Sequence, residues 1–378
     1  MDLTWVEVSR SALEHNLKQF RAMAPRSLLA PVVKANAYGH GLLQSAIAFV
    51  EAGADWLCVN AIYEAQALRD GGLGVPIYVL GYVANEDMDL LCTLGCRLVV
   101  YNSESVRSLS AAAVRQGTVM PVHIKLETGN NRQGLKAAEA VELARLIRSL
   151  PGVELEGVSS HYADIEDTTD HSYAQHQLSR FHEACEALAS AGMPPRVRNF
   201  SNSAAAILWS ETQFDLVRIG ISAYGMWPSK ETFVSAVILG RDKPQLRPAM
   251  TWKTRVAQVK DIEPGEFVGY GRSFRTTHTT RLAVLPVGYY DGYDRALSNL
   301  AHVLVNGHIA PVRGRVCMNM IMVDVSDAGD VKPEDPVVLL GSDGRECVTA
   351  EQLAGWAGTI NYEITTRICE RIPRYLVD

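Results

Sequence analysis

Leu28-Leu29-Ala30-Pro31-Val32-Val33-Lys34-Ala35-Asn36-Ala37-Tyr38-Gly39-His40-Gly41 begins with six apolar residues and ends in a polar stretch bounded by glycine. An apolar run of this length beside turn residues reads as a fully buried strand. Working outward, comparable runs recur at 56–59, 76–83, 97–101, 122–126, 155–160, 197–200 and 216–220. Helix-like amphipathic segments lie between them at 42–51, 62–69, 103–116, 137–150 and 172–191. Parallel pairing needs crossovers of a dozen or more residues, and eight such units in about 225 residues fit a (β/α)8 barrel. A doubly wound open sheet is the competing arrangement. The barrel is preferred because the residues with chemical potential all follow strand ends.

Upstream, Ser11-Ala12-Leu13-Glu14 reads as a capping box opening a helix that carries Leu13, Leu17 and Phe20 on one face. Downstream of about Pro228 the pattern becomes strand-like at 252–262, 281–287, 302–305, 312–325 and 337–340. Asn306-Gly307 is a hairpin turn signal, and Thr349-Ala350-Glu351-Gln352 caps one short late helix. The expected architecture is α/β: a TIM (β/α)8 barrel over residues 1–235, followed by a mainly β C-terminal domain over 236–378. The alternation at residues 1–8 offers that second domain a further strand.

Bulk properties narrow the function. The chain has 378 residues, 47% of them hydrophobic, with 36 Lys and Arg against 42 Asp and Glu. Its net charge of −6 is mixed along the chain, so no basic stripe points to nucleic acid or to an anionic membrane. No apolar run approaches the ~20 residues of a membrane helix. The start, MDLTWVEVSR, has no secretory pattern, which makes the cytoplasm the expected compartment. Seven scattered cysteines suit neither a disulfide framework nor a zinc site, and no metal is expected.

Lys34 leaves its strand into a barrel mouth, where desolvation lowers an ammonium pKa and frees the amine for Schiff-base chemistry. Read alone, a strand-end lysine more often snorkels to solvent. Asn202 and Ser203 precede a helical run whose free N–H groups favour an anion, although the pair alone reads as an ordinary cap. Gly220 allows close backbone approach to an oxygen.

The stretch VVKANAYGHG (32–41) resembles the lysine signature of the alanine racemases, pyridoxal phosphate enzymes of fold-type III. Further motifs follow in family order: HIKLETGNNRQG (123–134), SSHYAD (159–164), FSNSAA (200–205), VRIGISAYG (217–225), VGYGRSF (268–274), PVGYYDGY (286–293), GRVCMNM (314–320) and NYEITTRI (361–368). The resemblance spans most of the chain. It implies that Lys34 carries pyridoxal 5′-phosphate, with Tyr38, His161, Asn202, Ser203, Gly220, Ile221 and Tyr362 around the cofactor. Arg218 would face the pyridine nitrogen; a guanidinium stays protonated, so it can only donate there, leaving the ring a weaker electron sink.

Racemisation removes a proton from one face of a carbon and returns one to the other. By the resemblance Lys34 serves one face and Tyr270 the other. Tyrosines titrate near 10, and a relay through His161 to Arg218 would stabilise the phenolate. Tyr270 would come from the partner subunit of a homodimer, with Tyr289 at the approach. Arg132 and the backbone at Met318 would take the substrate carboxylate, and Lys125 matches a lysine that many members carry as a carbamate. The implied reaction interconverts L- and D-alanine, supplying D-alanine for peptidoglycan. The bulk of Tyr362 favours alanine, while an apolar pocket rejects an added hydroxyl only weakly, so a serine or broader racemase is the alternative. A fold-III decarboxylase and a non-catalytic pyridoxal phosphate carrier are more remote. Two positions depart from the family: Asn319 where Asp is usual, and Asn130-Asn131 before Arg132 where Met-Gly is usual.

Overall fold

The computed structural model describes residues 2–378. These form two compact units: Ala12–Ala37 with Leu42–Arg247, and the segment ending at Ser11 with Tyr38–Gly41 and Pro248–Asp378. Strand β1 (Thr4–Ser9) belongs to the second. The next eight strands build the first.

These are β2 (Leu28–Pro31), β3 (Leu57–Val59), β4 (Ile77–Val79), β5 (Arg97–Val100), β6 (Met120–Lys125), β7 (Val153–Ser159), β8 (Val197–Asn199) and β9 (Leu216–Ile219). β3 to β8 pair in sequence order, all parallel, and β2 pairs parallel with β9. A bridge from Val32 to Cys58 joins β2 to β3, and Arg218 N–H donates to Ser201 O beyond β8 (3.2 Å). The eight strands thus close into a TIM barrel without a free edge. Leu57, Cys58, Val59, Ile77, Tyr78 and Val79 are fully buried, as strands covered on both faces must be.

Several helices and strand limits differ from the sequence reading. The run 76–83 is a strand only over Ile77–Val79; beyond it Leu80 and Gly81 donate to Val59 O and Asn60 O (2.8 and 3.1 Å), and Gly81 leaves no room for a Cβ against Asn60 O. The helix Met88–Leu94 lies outside the expected helices, because MDLLCTL has too few polar residues to show a stripe. Lys230–Ile238 is a further helix beyond the expected ones, with Phe233, Val234, Val237 and Ile238 exposed on it. The capping box at Ser11 is corrected. The helix Arg10–Met23 starts earlier, and the Ser11 hydroxyl lies 3.2 Å from that of Ser9.

The second unit is mainly β. Its larger sheet pairs β16 (His308–Pro311), β15 (His302–Val305), β18 (Pro336–Asp343), β10 (Met250–Arg255), β1 and β20 (Arg374–Val377) in that order, with β19 (Glu346–Val348) on β18. β11 (Gln258–Ile262), β14 (Thr280–Leu285) and β17 (Ile321–Asp324) form a second sheet, and β12 (Phe267–Val268) pairs with β13 (Phe274–Arg275). Asn306 (φ 53°) and Gly307 (φ 75°) are both left-handed between β15 and β16, the geometry a two-residue hairpin demands. Thr349 caps Ala350–Ala357 reciprocally with Gln352 (3.1 and 2.8 Å).

The run 252–262 is two strands. Val256 N–H turns to Asp335 O and Ala257 N–H to Val284 O, which sends the chain into different sheets. The run 312–325 is mostly loop, with β17 only at its end. Tyr289 and Tyr290 donate their N–H groups to Cys317 O and Met318 O (3.0 Å each), and a Cβ on Gly288 would lie 2.2 Å from Cys317 O. Apolarity predicted burial there, but the carbonyls face the neighbouring loop instead of a strand. Asn361–Thr366 forms a further short helix that the sequence reading lacked. No helix among the described residues is long and apolar enough to cross a membrane.

Candidate active site

Lys34 follows β2 and enters an unusual turn. Ala35, Asn36, Ala37 and Tyr38 all have φ of 53–54°, a left-handed turn containing no glycine. Each such residue costs roughly 1–2 kcal/mol, so the surroundings must impose it. Ala35 N–H donates to Glu64 Oε1 (2.7 Å), Ala37 N–H to Val33 O (2.8 Å), and Leu42 N–H to Asn36 Oδ1 (2.8 Å). Glu64 is buried and also accepts from Asn60 N–H (2.7 Å) and Ala61 N–H (3.0 Å) at the start of Ile62–Asp70. One carboxylate therefore secures both the helix start and the peptide after Lys34. In the second unit, Gly39 lets its backbone approach Thr365 O, and the Tyr38 and Tyr362 rings lie 6.1 Å apart.

Around the barrel mouth the strands deliver a cluster of cations. Burial pushes the Lys34 amine down, Arg132 and Arg218 push it further, and Glu64 opposes them. Lys125, at the end of β6, is pushed well down by burial and then by Arg218 and Arg132, against Glu127. His161, just past β7, is held well below 6.5 by burial, then by Lys125, Arg218 and Arg132. All three keep some accessible surface at the mouth, but protein crowds each closely, and desolvation comes first among the causes. Lys34, Lys125, Arg132, Arg218 and His161 are thus brought together.

Arg132 sits on the loop 127–134. That loop is pinned by Glu127 N–H to Leu135 O and Leu135 N–H to Lys125 O (2.9 Å each). Asn131 is left-handed (φ 53°), a conformation asparagine tolerates, and Asn130 Nδ2 donates to Tyr162 O (3.2 Å). Beyond β8, Asn202 caps Ser203–Leu208 through Ala205 N–H (2.9 Å) and donates to Glu166 Oε1 (2.7 Å). Ser203 Oγ accepts from Gly220 N–H (3.0 Å), which fastens β9 to that helix, and Ile221 is buried. A cavity of about 150 Å³ is lined by Asn130, Arg132, His161, Asn202 and the acids Asp164 and Glu166.

Arg218 is buried within the barrel. It donates to Asn199 Oδ1, to Asn199 O (3.1 Å) and to Ser160 O (2.8 Å). Sequence reasoning passed over Asn199, His123 and Glu64. His123 sits two residues before Lys125 inside an apolar strand, and that polar interruption was the available signal.

In the second unit Tyr270 is 72% exposed. It stands between Gly269 (φ 71°) and Gly271 (φ 70°), where a Cβ would meet Met322 and Arg315 respectively. Tyr270, Tyr289, Arg295, Arg315 and Met318 line an open cavity of about 980 Å³.

Residues 8–228 match the family description "Alanine racemase, N-terminal domain", and residues 249–376 match "Alanine racemase, C-terminal domain". The chain belongs to the alanine racemase family. An alanine racemase of Symbiobacterium thermophilum is 41% identical over 98% of this chain and 96% of its own. One from Halothermothrix orenii is 39% identical over the same shares. Among solved structures, the alanine racemase of Streptomyces lavendulae has a TM-score of 0.91 at 35% identity, covering 100% of this chain and 98% of its own. That of Clostridium difficile reaches 0.93 at 32% identity, covering 100% and 96%. Both departures from the alanine racemase pattern have local partners: beside the Asn130 bond to Tyr162 O, Asn319 Nδ2 faces Asp291 Oδ2 at 3.4 Å.

Proposed function

We propose that this protein racemises alanine with pyridoxal 5′-phosphate, using Lys34 and the partner subunit's Tyr270 as bases on opposite faces of the substrate carbon. The observation that carries the reading is the desolvated Lys34 amine among Arg132, Arg218 and Lys125, with Glu64 and Glu127 as the opposing carboxylates. That excess of positive charge suits a phosphate and an amino acid carboxylate, so the donor set fits the cofactor.

Lys34 would attach pyridoxal phosphate, and Tyr38, His161, Asn202, Ser203, Gly220, Ile221 and Tyr362 would hold it. When bound, the cofactor supplies an electron sink for the carbon that loses its proton. Arg132 and the backbone at Met318 orient the substrate carboxylate. The depressed Lys34 pKa leaves more of its Nζ free to take a proton near neutral pH than an ordinary lysine would have. The partner subunit's Tyr270 Oη then returns a proton from the other side; in the reverse direction the roles exchange. Lys125 as a carbamate would give Arg132 an anionic neighbour in place of a cation. The exposed Tyr270, Tyr289, Met318 and Met320 around one cavity support a homodimer in which a second copy covers this face. A cytoplasmic enzyme supplying D-alanine for peptidoglycan completes the proposal.

The test follows loss of optical rotation from L-alanine and, separately, from D-alanine, with a cofactor absorbance spectrum for each protein. Lys34→Ala should lose both directions. Tyr270→Phe should keep its cofactor spectrum and lose racemisation. Normal racemisation by Tyr270→Phe would remove Tyr270 as a base, and a wild type inert toward both enantiomers would overturn the function.

A further inference from the structure

A line of polar side chains crosses the barrel interior. Arg97 grips Glu156 through Nε to Oε2 (2.8 Å) and Nη2 to Oε1 (3.1 Å), while its guanidinium lies 4.2 Å from the Trp56 ring centre. Glu156 Oε2 meets His123 Nε2 at 2.9 Å. The other imidazole nitrogen, Nδ1, meets Asn199 Nδ2 at 3.1 Å. Asn199 Oδ1 then takes Arg218 Nη1. His123 and Asn199 are fully buried.

The chemistry of the two ends fixes every proton between them. A guanidinium only donates, so Asn199 must turn its oxygen to Arg218 and its amide nitrogen to His123. That nitrogen also donates to Val158 O (3.2 Å), which suits the same orientation. His123 Nδ1 must therefore accept and its proton must sit on Nε2, where the Glu156 carboxylate accepts it. An imidazolium would put N–H on Nδ1 and force Asn199 to turn an amino group toward the guanidinium. Burial favours the neutral ring: it lowers the His123 pKa, with Glu156 opposing and Arg97 and Arg218 assisting.

The ring cannot easily escape this register. Tyr78 lies 4.7 Å away and Trp56 5.8 Å, centre to centre. A Cβ on Gly157 would come within 2.8 Å of His123 Nδ1 and Cε1, so glycine there leaves the ring its space.

We propose that His123 is a positioning residue for racemisation: as the neutral Nε2–H tautomer it orients Asn199, and Asn199 holds the Arg218 guanidinium in its working direction. This rests on reading Arg218 as the cation that faces the cofactor. Glu156 and Arg97 anchor the far end, so a residue at the opposite side of the barrel sets the aim of one at the mouth.

Neutron diffraction from a crystal of the full wild-type chain reads the arrangement without any variant. The expected result at pH 7 is a deuteron on His123 Nε2, none on Nδ1, and Asn199 Oδ1 toward Arg218. A deuteron on Nδ1 overturns the proposal. Two substitutions test the consequence. His123→Asn can keep an acceptor near the Nδ1 position, whereas His123→Gln places its amide near Nε2 and leaves Asn199 without an acceptor. His123→Gln should lower kcat by about 10–100-fold with KM nearly unchanged, the size expected from a small misplacement of a catalytic group. His123→Asn should recover most of that loss. Equal losses in both variants, or a loss confined to thermal stability, overturn the positioning role. If the deuterons are as expected but Arg218→Gln racemises normally, it is the reading of Arg218 that fails.

Discussion

The barrel mouth and the Tyr270 loop make opposite physical bargains. At the mouth, Lys34, Lys125, Arg218 and His161 are crowded by protein beside the more exposed Arg132, and burial is the first cause of every shifted pKa among them. In the second unit Tyr270 stands 72% exposed on a glycine-flanked turn beside an open cavity. The first region is prepared within one chain, because strand ends fix its side chains and the left-handed turn is tied down at Glu64. The second lacks enclosure in one chain. On the proposed reading Tyr270 is a catalytic phenol that needs water excluded around it, and that reading calls for another copy to cover the exposed face.

The sharpest way to break this contrast is to separate the two proposed bases. Lys34→Ala and Tyr270→Phe dimers, each losing roughly 10³-fold or more of racemisation, are mixed under conditions that exchange subunits. Composite sites predict recovery to about a quarter of wild-type activity, because half the dimers are mixed and each holds one intact site. No recovery would place both bases in one chain. Next in size, Met318→Arg adds a further charge beside Arg295 and Arg315 in the open cavity. It should weaken self-association by about 10–100-fold, the scale of a buried unpaired charge, read by sedimentation at falling concentration. Unchanged sedimentation would mean that this face stays uncovered.

On the enclosed side, Glu64→Gln removes the carboxylate that holds Ala35 N–H and opposes the cations around Lys34. Hydrogen exchange in the peptide spanning residues 33–38 should quicken by about tenfold, the loss of one hydrogen bond to a charged group. Unchanged exchange would show that the turn stands without it. The smallest effect is on stability in acid. His123 and His161 have pKa values lowered below 6.5 in the folded chain, so the unfolded chain binds more protons as pH falls below that value. Their contribution is intact above 6.5 and diminishes below it. Denaturant midpoints should fall between pH 6.5 and 5.5, and less steeply in His123→Asn.

Much of this was legible in the residue order. Short apolar runs gave eight strands because barrel strands are buried on both faces and need no alternation. Lys34 could be marked from its place at the end of such a run, whereas Lys125, His161 and Arg218 were marked by the resemblance of their motifs to the family. The hairpin at Asn306-Gly307 was readable because only a few residues accept two left-handed positions in succession. The runs 252–262 and 312–325 misled because apolar content reports burial, whereas the break at Val256-Ala257 and the loop carrying Met318 depend on distant backbone partners.

What the sequence determined alone was local: periodicity, turn chemistry and the identity of groups able to donate, accept or carry charge. The tertiary structure decided everything set by separation in space. Four left-handed residues after Lys34 are strained by their own chemistry and exist because Glu64, 29 residues on from Ala35, accepts one of their N–H groups. Asn199 and His123 lie 76 residues apart, and only the closed barrel makes them neighbours and so assigns the protons between them. Hydrogen bonding and desolvation act over a few ångströms, a distance that chain order does not record.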